Sequence, residues 1–242
     1  MIPVTDTVRS RSVPFVNVAI ILTCIGVFVY ELTLSAVEIN EFFLDYGVIP
    51  QQLTDWVENP SGLEEPSTIF TSAFVHGGWL HLIGNMLYLW VFGDNVEDAL
   101  GHVWYALFYL LAAAVAVAVQ VAVNTDDFIP MIGASGAIAG VLGAYLVLYP
   151  RATVGAVIPL LWFFGPIPMP AVLLIGFWFL MQIFAGAASI GGDAAGVSEG
   201  VAVFAHIGGF VVGFAFVLVL RPLIRRRPYQ AIGGRRRRTD LW

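Results

Sequence analysis

The sequence predicts an all-α, polytopic membrane protein with six transmembrane helices around a water-accessible cavity. Three observations predict it. Hydrophobic residues make up 59% of the chain and charged residues only 12%, a balance that a soluble domain of this length does not tolerate. The apolar residues gather into six segments, most of them close to the ~20 residues that a helix needs to cross a ~30 Å hydrocarbon core. The cationic residues are all arginine, and with six crossings every one of them falls on the same face.

The segments run Val13–Leu34, Trp79–Val96, Val103–Val123, Ala134–Tyr149, Pro170–Ala188 and Gly200–Leu220. Arg9 and Arg11 precede the first, Arg151 follows the fourth, and Arg221, Arg225–Arg227 and Arg235–Arg238 follow the sixth. The positive-inside rule makes that face cytoplasmic. The long loop Ser35–Gly78, which carries acidic residues and no arginine, then lies outside. Residues 1–12 are expected as a cytoplasmic N-terminal segment, 13–220 as the membrane domain and 221–242 as a basic cytoplasmic tail. The first apolar run lacks a small-residue cleavage site and is expected to be retained. Val154–Met169 is also apolar, but a crossing there would carry the arginine-rich tail outside, and it holds Pro159, Pro166 and Pro168. It reads as an interfacial or loop segment on the cytoplasmic side. The basic tail reads as a topogenic signal, with anionic-lipid contact, rather than a nucleic-acid patch. The lone Cys24 has no partner for an internal disulfide.

Three polar residues share one depth. Asn85 lies about seven residues into the second segment, and His206 about six or seven into the sixth, so both sit roughly 10 Å below the outer surface. The fourth segment is short, and with Pro150-Arg151 holding its inner end, Ser135 at its outer end reaches a similar depth. The preceding stretch Asn124–Gly133 must then dip into the protein, which irregular backbone tolerates only beside a cavity. His81 and Asn85, four apart, share a helix face and offer side-chain donors of the kind an oxyanion hole uses. Ser135 opens a helix, so free backbone N–H groups point to the same place. Gly136 and Gly140, and Gly209 and Gly213, form small-residue faces that let two membrane helices approach closely. If they pack, His206 reaches Ser135 and acts as general base to a serine nucleophile. No carboxylate lies at matching depth, so the arrangement is a dyad.

Each residue also has a plainer reading. Ser135 could cap a helix, the two glycine faces could be packing alone, and His81 and Asn85 could bridge helices. His76, His81 and His206 could bind a metal, but no HExxH, cysteine pair or intramembrane carboxylate completes such a set, and no cofactor is expected. A transporter would show paired broken helices, and an aspartyl intramembrane protease two aspartates within spans; neither pattern is present.

Taken together, the residues resemble the rhomboid family of intramembrane serine proteases. The resemblance runs from the first segment to the sixth. It is carried by His76, His81 and Asn85 at their spacing, by Gly133-Ala134-Ser135-Gly136, and by Ala205-His206-Ile207-Gly208-Gly209. Phe92-Gly93-Asp94-Asn95-Val96-Glu97 and Tyr149-Pro150-Arg151-Ala152 are similar to bacterial members, so a bacterial or archaeal type with a six-span core is implied. The resemblance implies Ser135 as nucleophile, His206 as base, and an oxyanion hole of His81, Asn85 and the Ser135 N–H. His76 is implied to organise the first loop, with Gly133 and Gly136 in support. It implies membrane-spanning protein substrates, no nucleic acid, and a site open to the outer side of a cell membrane. The fifth segment is implied to move as a gate, with Phe177, Trp178 and Phe184 on its bulky face. Two positions depart from the pattern: Ser67-Thr68 stands where some members carry Trp-Arg, and Ala139 where some carry a tyrosine against the histidine. Another aromatic, Phe204 or a residue of the fifth segment, is then expected to support His206. Because Ser135 and His206 are both retained, an endopeptidase is favoured over a non-catalytic, client-binding relative.

Overall fold

The computed structural model describes residues 1–158, 165–190, 202–222 and 224. Strand β1 (Ile2–Asp6) precedes helix α1 (Phe15–Glu31). Helices α2 (Ala36–Tyr46), α3 (Pro50–Glu58) and α4 (Glu64–Thr71) fill the long loop. Helix α5 (Trp79–Tyr88), a π-helical turn (Leu89–Gly93) and α6 (Asp94–Leu100) follow one another without a break. Then come α7 (His102–Val123), α8 (Ser135–Leu148), strands β2 (Thr153–Val157) and β3 (Ile167–Pro170), and helices α9 (Ala171–Ile190) and α10 (Val203–Leu220). The arginine-rich tail beyond Arg221, the start of the sixth apolar segment and Pro159 lie outside the described residues.

Among the described residues, three helices are long and apolar enough to cross a membrane: His102–Val123, Ala171–Ser189 and Val203–Leu220. Phe15–Glu31 and Ser135–Leu148 are shorter apolar helices. Leu107, Leu111, Leu173, Phe177, Val211 and Val219 are exposed on the long helices, as a lipid-facing surface requires.

The core is α8, ringed by α7 and α10. Lipid offers no hydrophobic gain for helix association, so close packing has to supply it. Glycine makes that packing possible. A Cβ on Gly209 would overlap the Gly136 carbonyl, and one on Gly213 would overlap that of Gly140. On its other side α8 meets α7, where a Cβ on Gly136 would come within 2.7 Å of the Ala116 Cβ. The two glycine faces expected from the sequence therefore interlock.

The start of α1 is capped from a distance. A helix leaves its first N–H groups without internal partners. Here the fully buried Glu97 of α6 accepts from the N–H groups of Val16 (3.0 Å) and Asn17 (2.7 Å), and also meets His102 Nδ1 at 2.5 Å. Asn17 in turn donates to the Leu89 carbonyl (2.9 Å), at the π turn, where the regular hydrogen-bond ladder is offset, and accepts from the Tyr105 hydroxyl (2.8 Å). One buried polar network thus joins α1, α6, α7 and the π turn.

The all-α expectation needs a correction. Residues 2–6 and part of the apolar, proline-bearing stretch after α8 form a three-stranded antiparallel sheet in the order β1-β2-β3. Ile2 pairs with Val157, Asp6 with Val154, and Val154 with Met169. Proline suits this position because β3 is an edge strand, where a missing N–H costs no ladder bond. Val154 and Ala156 alternate inward and are buried, which accounts for the apolar character of the segment. The segment is therefore neither a crossing nor an irregular loop in its described parts, and β3 runs directly into α9.

Asp6 ties this sheet to the bundle. Its Oδ2 accepts from the Tyr145 hydroxyl (2.5 Å) and from Asn95 Nδ2 (3.0 Å). Burial outweighs the Tyr145 hydrogen bond and pushes the carboxyl up to about 6. The folded chain holds this proton more tightly than the unfolded one. The stabilising contribution is therefore full near about pH 4 and below, and is lost as pH rises through about 6. Asp6→Asn keeps a carbonyl acceptor and cannot ionise. Thermal unfolding in detergent from pH 4 to 8 is expected to show a midpoint that falls with pH in the wild type and falls less in the variant. Parallel curves would assign the pH dependence elsewhere.

On the opposite side, the loop before α8 is stitched to the long loop. Val48 and Met131 exchange backbone hydrogen bonds of 3.0 and 2.7 Å, and the Gly133 N–H donates to the Ser72 carbonyl at 2.8 Å. Thr71 Oγ1 donates to the Tyr46 carbonyl at 2.9 Å. These bonds anchor a first loop that has Ser67-Thr68 in place of Trp-Arg.

Candidate active site

Ser135 is the first residue of α8, so its N–H and those just after it have no carbonyl of their own helix to bond. Gly133, two residues earlier, has φ +115°, a conformation that side chains rarely adopt. The glycine is needed for space as well. A Cβ there would come 2.5 Å from His81 Nε2 and 3.5 Å from Asn85 Nδ2. Both side chains project from α5 against the backbone that leads into Ser135, which is why the i, i+4 spacing matters.

His206 lies in the first turn of α10. Gln120 of α7 caps that turn, its Oε1 accepting from the Ala205 N–H at 3.1 Å. With α8 and α10 in backbone contact, His206 Nε2 stands 2.7 Å from Ser135 Oγ. On the far side of the ring, Nδ1 stands 2.9 Å from Oε1 of Gln182 on α9. An amide oxygen only accepts, so Nδ1 carries the proton. Nε2 is then the lone-pair nitrogen and accepts from the serine hydroxyl. The Trp178 ring lies 5.8 Å from the imidazole, centroid to centroid, at 44°. The supporting aromatic is therefore this residue of α9. Phe177 and Phe184, grouped with it in the sequence reading, are exposed.

Asn85 is buried, and its Nδ2 has no hydrogen-bond partner. A buried donor left unpaired costs about 1–3 kcal/mol. That cost is understandable where an acceptor arrives only during function. A cavity of about 30 Å³, lined among others by Ser72, Ile132, Gly133, Ser135 and Ala205, adjoins the serine and has room for a water molecule.

His76 stands one step back. It is buried, its N–H donates to Glu31 Oε1 at 3.0 Å, and its ring meets His81 edge-on at 5.2 Å. Burial, and secondarily the neighbouring His81, push its ring down to about 4, so it is neutral at physiological pH. It braces His81 and the end of α1.

A match to the rhomboid domain family spans residues 63–223, the larger part of the chain.

The chain belongs to the rhomboid family.

It is a membrane protein on that ground and on the three long apolar helices. Among curated rhomboid relatives it is similar to RHOMBOID-like protein 4 of Arabidopsis thaliana, with 30% identity over 66% of this chain and 36% of that protein. RHOMBOID-like protein 6, mitochondrial, of the same plant is 28% identical over 69% of this chain and 48% of that protein. The presenilin-associated rhomboid-like protein, mitochondrial, of Bos taurus is 28% identical over 59% of this chain and 39% of that protein. The chain thus spans less than half the length of these rhomboid relatives. The rhomboid match begins at residue 63 and leaves α1 and β1 outside it, although Glu97 and Asp6 bind both into the same body.

The structure brings Ser135, His206, His81, Asn85, Gly133 and Gly136 to one place, with His76 beside them. Gln182, Gln120 and Glu31 are partners in the site that the sequence motifs do not mark. A glutamine within an apolar helix was the available signal, since buried amides require partners.

Proposed function

We propose that this rhomboid is an intramembrane serine endopeptidase that cleaves single-span membrane proteins in or near their membrane segment. The observation that carries this reading is the 2.7 Å contact between Ser135 Oγ and His206 Nε2 at the start of a membrane helix. His206 takes the hydroxyl proton as Oγ attacks the substrate carbonyl carbon, and returns it to the leaving amine as the tetrahedral intermediate collapses. Water then releases the acyl group by the same steps. The oxyanion is held by the Ser135 N–H, His81 and the unpartnered Nδ2 of Asn85. Substrates with helix-breaking residues near the cut are favoured, because a peptide bond inside an intact helix is inaccessible.

Six crossings fit this reading: α1, the α5–α6 run, α7, α8, α9 and α10. The arginine distribution orients both termini to the cytoplasm of a cell membrane and the site toward the outer side.

The test is cleavage of a single-span substrate by the full chain in liposomes, with labelling of Ser135 by a fluorophosphonate probe. Cleavage and labelling together support the reading; neither occurring, with several substrates, would sink it. Asn85→Ala is expected to slow cleavage on the order of 10²-fold or less, with KM little changed, because two donors remain. A change confined to KM would mean that Asn85 binds the ground state instead.

A further inference from the structure

Helix α9 carries a stripe at helical spacing toward α10. Trp178 lies against the His206 ring, Gln182 four residues on reaches its Nδ1, and Gly186 four further on faces the Phe204 and Ile207 side chains of α10. A Cβ on Gly186 would sit 3.2 Å from Phe204 Cε1 and 3.5 Å from Ile207 Cδ1. The stripe therefore grips the imidazole on its face and at one edge, while Ser135 takes the other edge.

From this geometry we propose that Gln182 is a positioning residue. It holds the proton of His206 on Nδ1 and so keeps the Nε2 lone pair aimed at Ser135. The inference rests on the serine protease reading and deepens it. The arithmetic of the ring requires some such partner. A neutral imidazole has two tautomers, and only the one protonated on Nδ1 can accept from the serine. When the proton moves from Oγ to Nε2, the ring becomes a cation with two N–H donors. Nδ1–H then keeps its bond to Gln182 Oε1, and Nε2–H, still on the Ser135 side of the ring, is the donor to the leaving amine. The same amide oxygen serves both states, so the ring need not turn between the two proton transfers.

A glutamine suits the setting. An unpaired carboxylate within a membrane segment is costly, whereas an amide is far less so and still offers a fixed acceptor. It also makes the base depend on a second helix. The cytoplasmic half of α9 is pinned by β3 and by the buried Ala171, Leu174 and Ile175. Its outer half, bearing Gln182, is held largely through the stripe, with Leu180, Met181, Ile183 and Phe184 exposed around it. His206 is thus set for chemistry when the outer half of α9 lies against α10.

The test compares wild type, Gln182→Met, Gln182→Glu and Ser135→Ala as full chains in liposomes. Methionine matches the length and removes the acceptor; glutamate keeps an acceptor oxygen in either charge state. Gln182→Met is expected to lower kcat roughly 10- to 100-fold with KM within about 2-fold. Gln182→Glu is expected to stay within about 3-fold of wild type. A purely structural role would instead move KM or unfolding and leave the ring unaffected. The ring is read directly by ¹⁵N NMR of histidine-labelled protein in lipid. His206 is expected to show protonated Nδ1 alone in the wild type and a tautomer mixture in Gln182→Met. An active wild type whose kcat and ¹⁵N pattern survive Gln182→Met would overturn this inference and leave the protease reading intact. A wild type that neither cleaves nor labels would overturn the protease reading, while the ¹⁵N comparison still decides whether Gln182 sets the tautomer.

Discussion

Ser135→Ala abolishes cleavage and leaves the fold intact: this is the expected result with the largest effect on activity. In the proposed mechanism the hydroxyl supplies the atom that attacks, and among the described residues Ser135 is the side chain in hydrogen-bond contact with His206 Nε2. The substitution removes one oxygen from a half-buried site and one hydrogen bond of 2.7 Å. Alanine is also the best helix former, so α8 loses little. The effect on stability is expected to be about 1 kcal/mol or less. His206→Ala is expected to be equally inactive, because in the proposed mechanism the two residues act as a unit and the loss of either removes the whole step. It opens more space, and Gln182 and Trp178 lose their partner, so a larger drop in the unfolding midpoint accompanies it. Cleavage of a single-span substrate in liposomes, run beside thermal unfolding, separates the two effects. A serine variant that still cuts would end the protease reading.

The largest effect on stability is expected from Gly209→Val and Gly213→Val. The atoms that an added Cβ would overlap are backbone carbonyls of Gly136 and Gly140. A flexible side chain could swing aside, whereas a helix backbone moves only as a whole. The cost is expected at about 3 kcal/mol or more, beyond ordinary overpacking, since α8 and α10 must separate along their length. Activity falls with it, because the same separation takes His206 from Ser135. Gly26→Ala and Gly176→Ala serve as controls. Nothing lies within 4 Å of a Cβ at either position. Both are expected to be neutral or stabilising by up to about 1 kcal/mol, from helix propensity alone. Folded fraction after detergent extraction and the unfolding midpoint read all four variants. Equal behaviour of the two pairs would refute the interlocked packing.

Much of the site was legible because membrane burial makes polar residues conspicuous. His206 and Asn85 stand out in apolar surroundings, and Ser135 follows from the short fourth segment. The glycine spacing named the helix pair that joins them. What escaped notice lacked that contrast or needed long-range pairing. Gln182 is uncharged, so it stands out less from an apolar helix than a carboxylate would. The π turn at Leu89–Gly93 leaves no mark on an apolar sequence, since only the backbone register changes. The sheet joins residues 2–6 to a segment about 150 residues away, and short strands with proline carry little alternation to read. Rhomboid membership followed from the motifs, while the role of Glu97 needed coordinates. As part of a motif it looked like a signature, whereas in the fold it is the cap of α1.

That cap sets a schedule for synthesis. The amides of Val16 and Asn17 emerge from the ribosome about 80 residues before the carboxylate that will receive them. At roughly 5–20 residues per second, the first helix waits about 4–16 s for its lid. During that interval its leading N–H groups must find lipid headgroups, water or an insertion chaperone. The nascent bundle is open at that corner until α6 arrives, and a pause in translation between α1 and α6 would prolong the exposure.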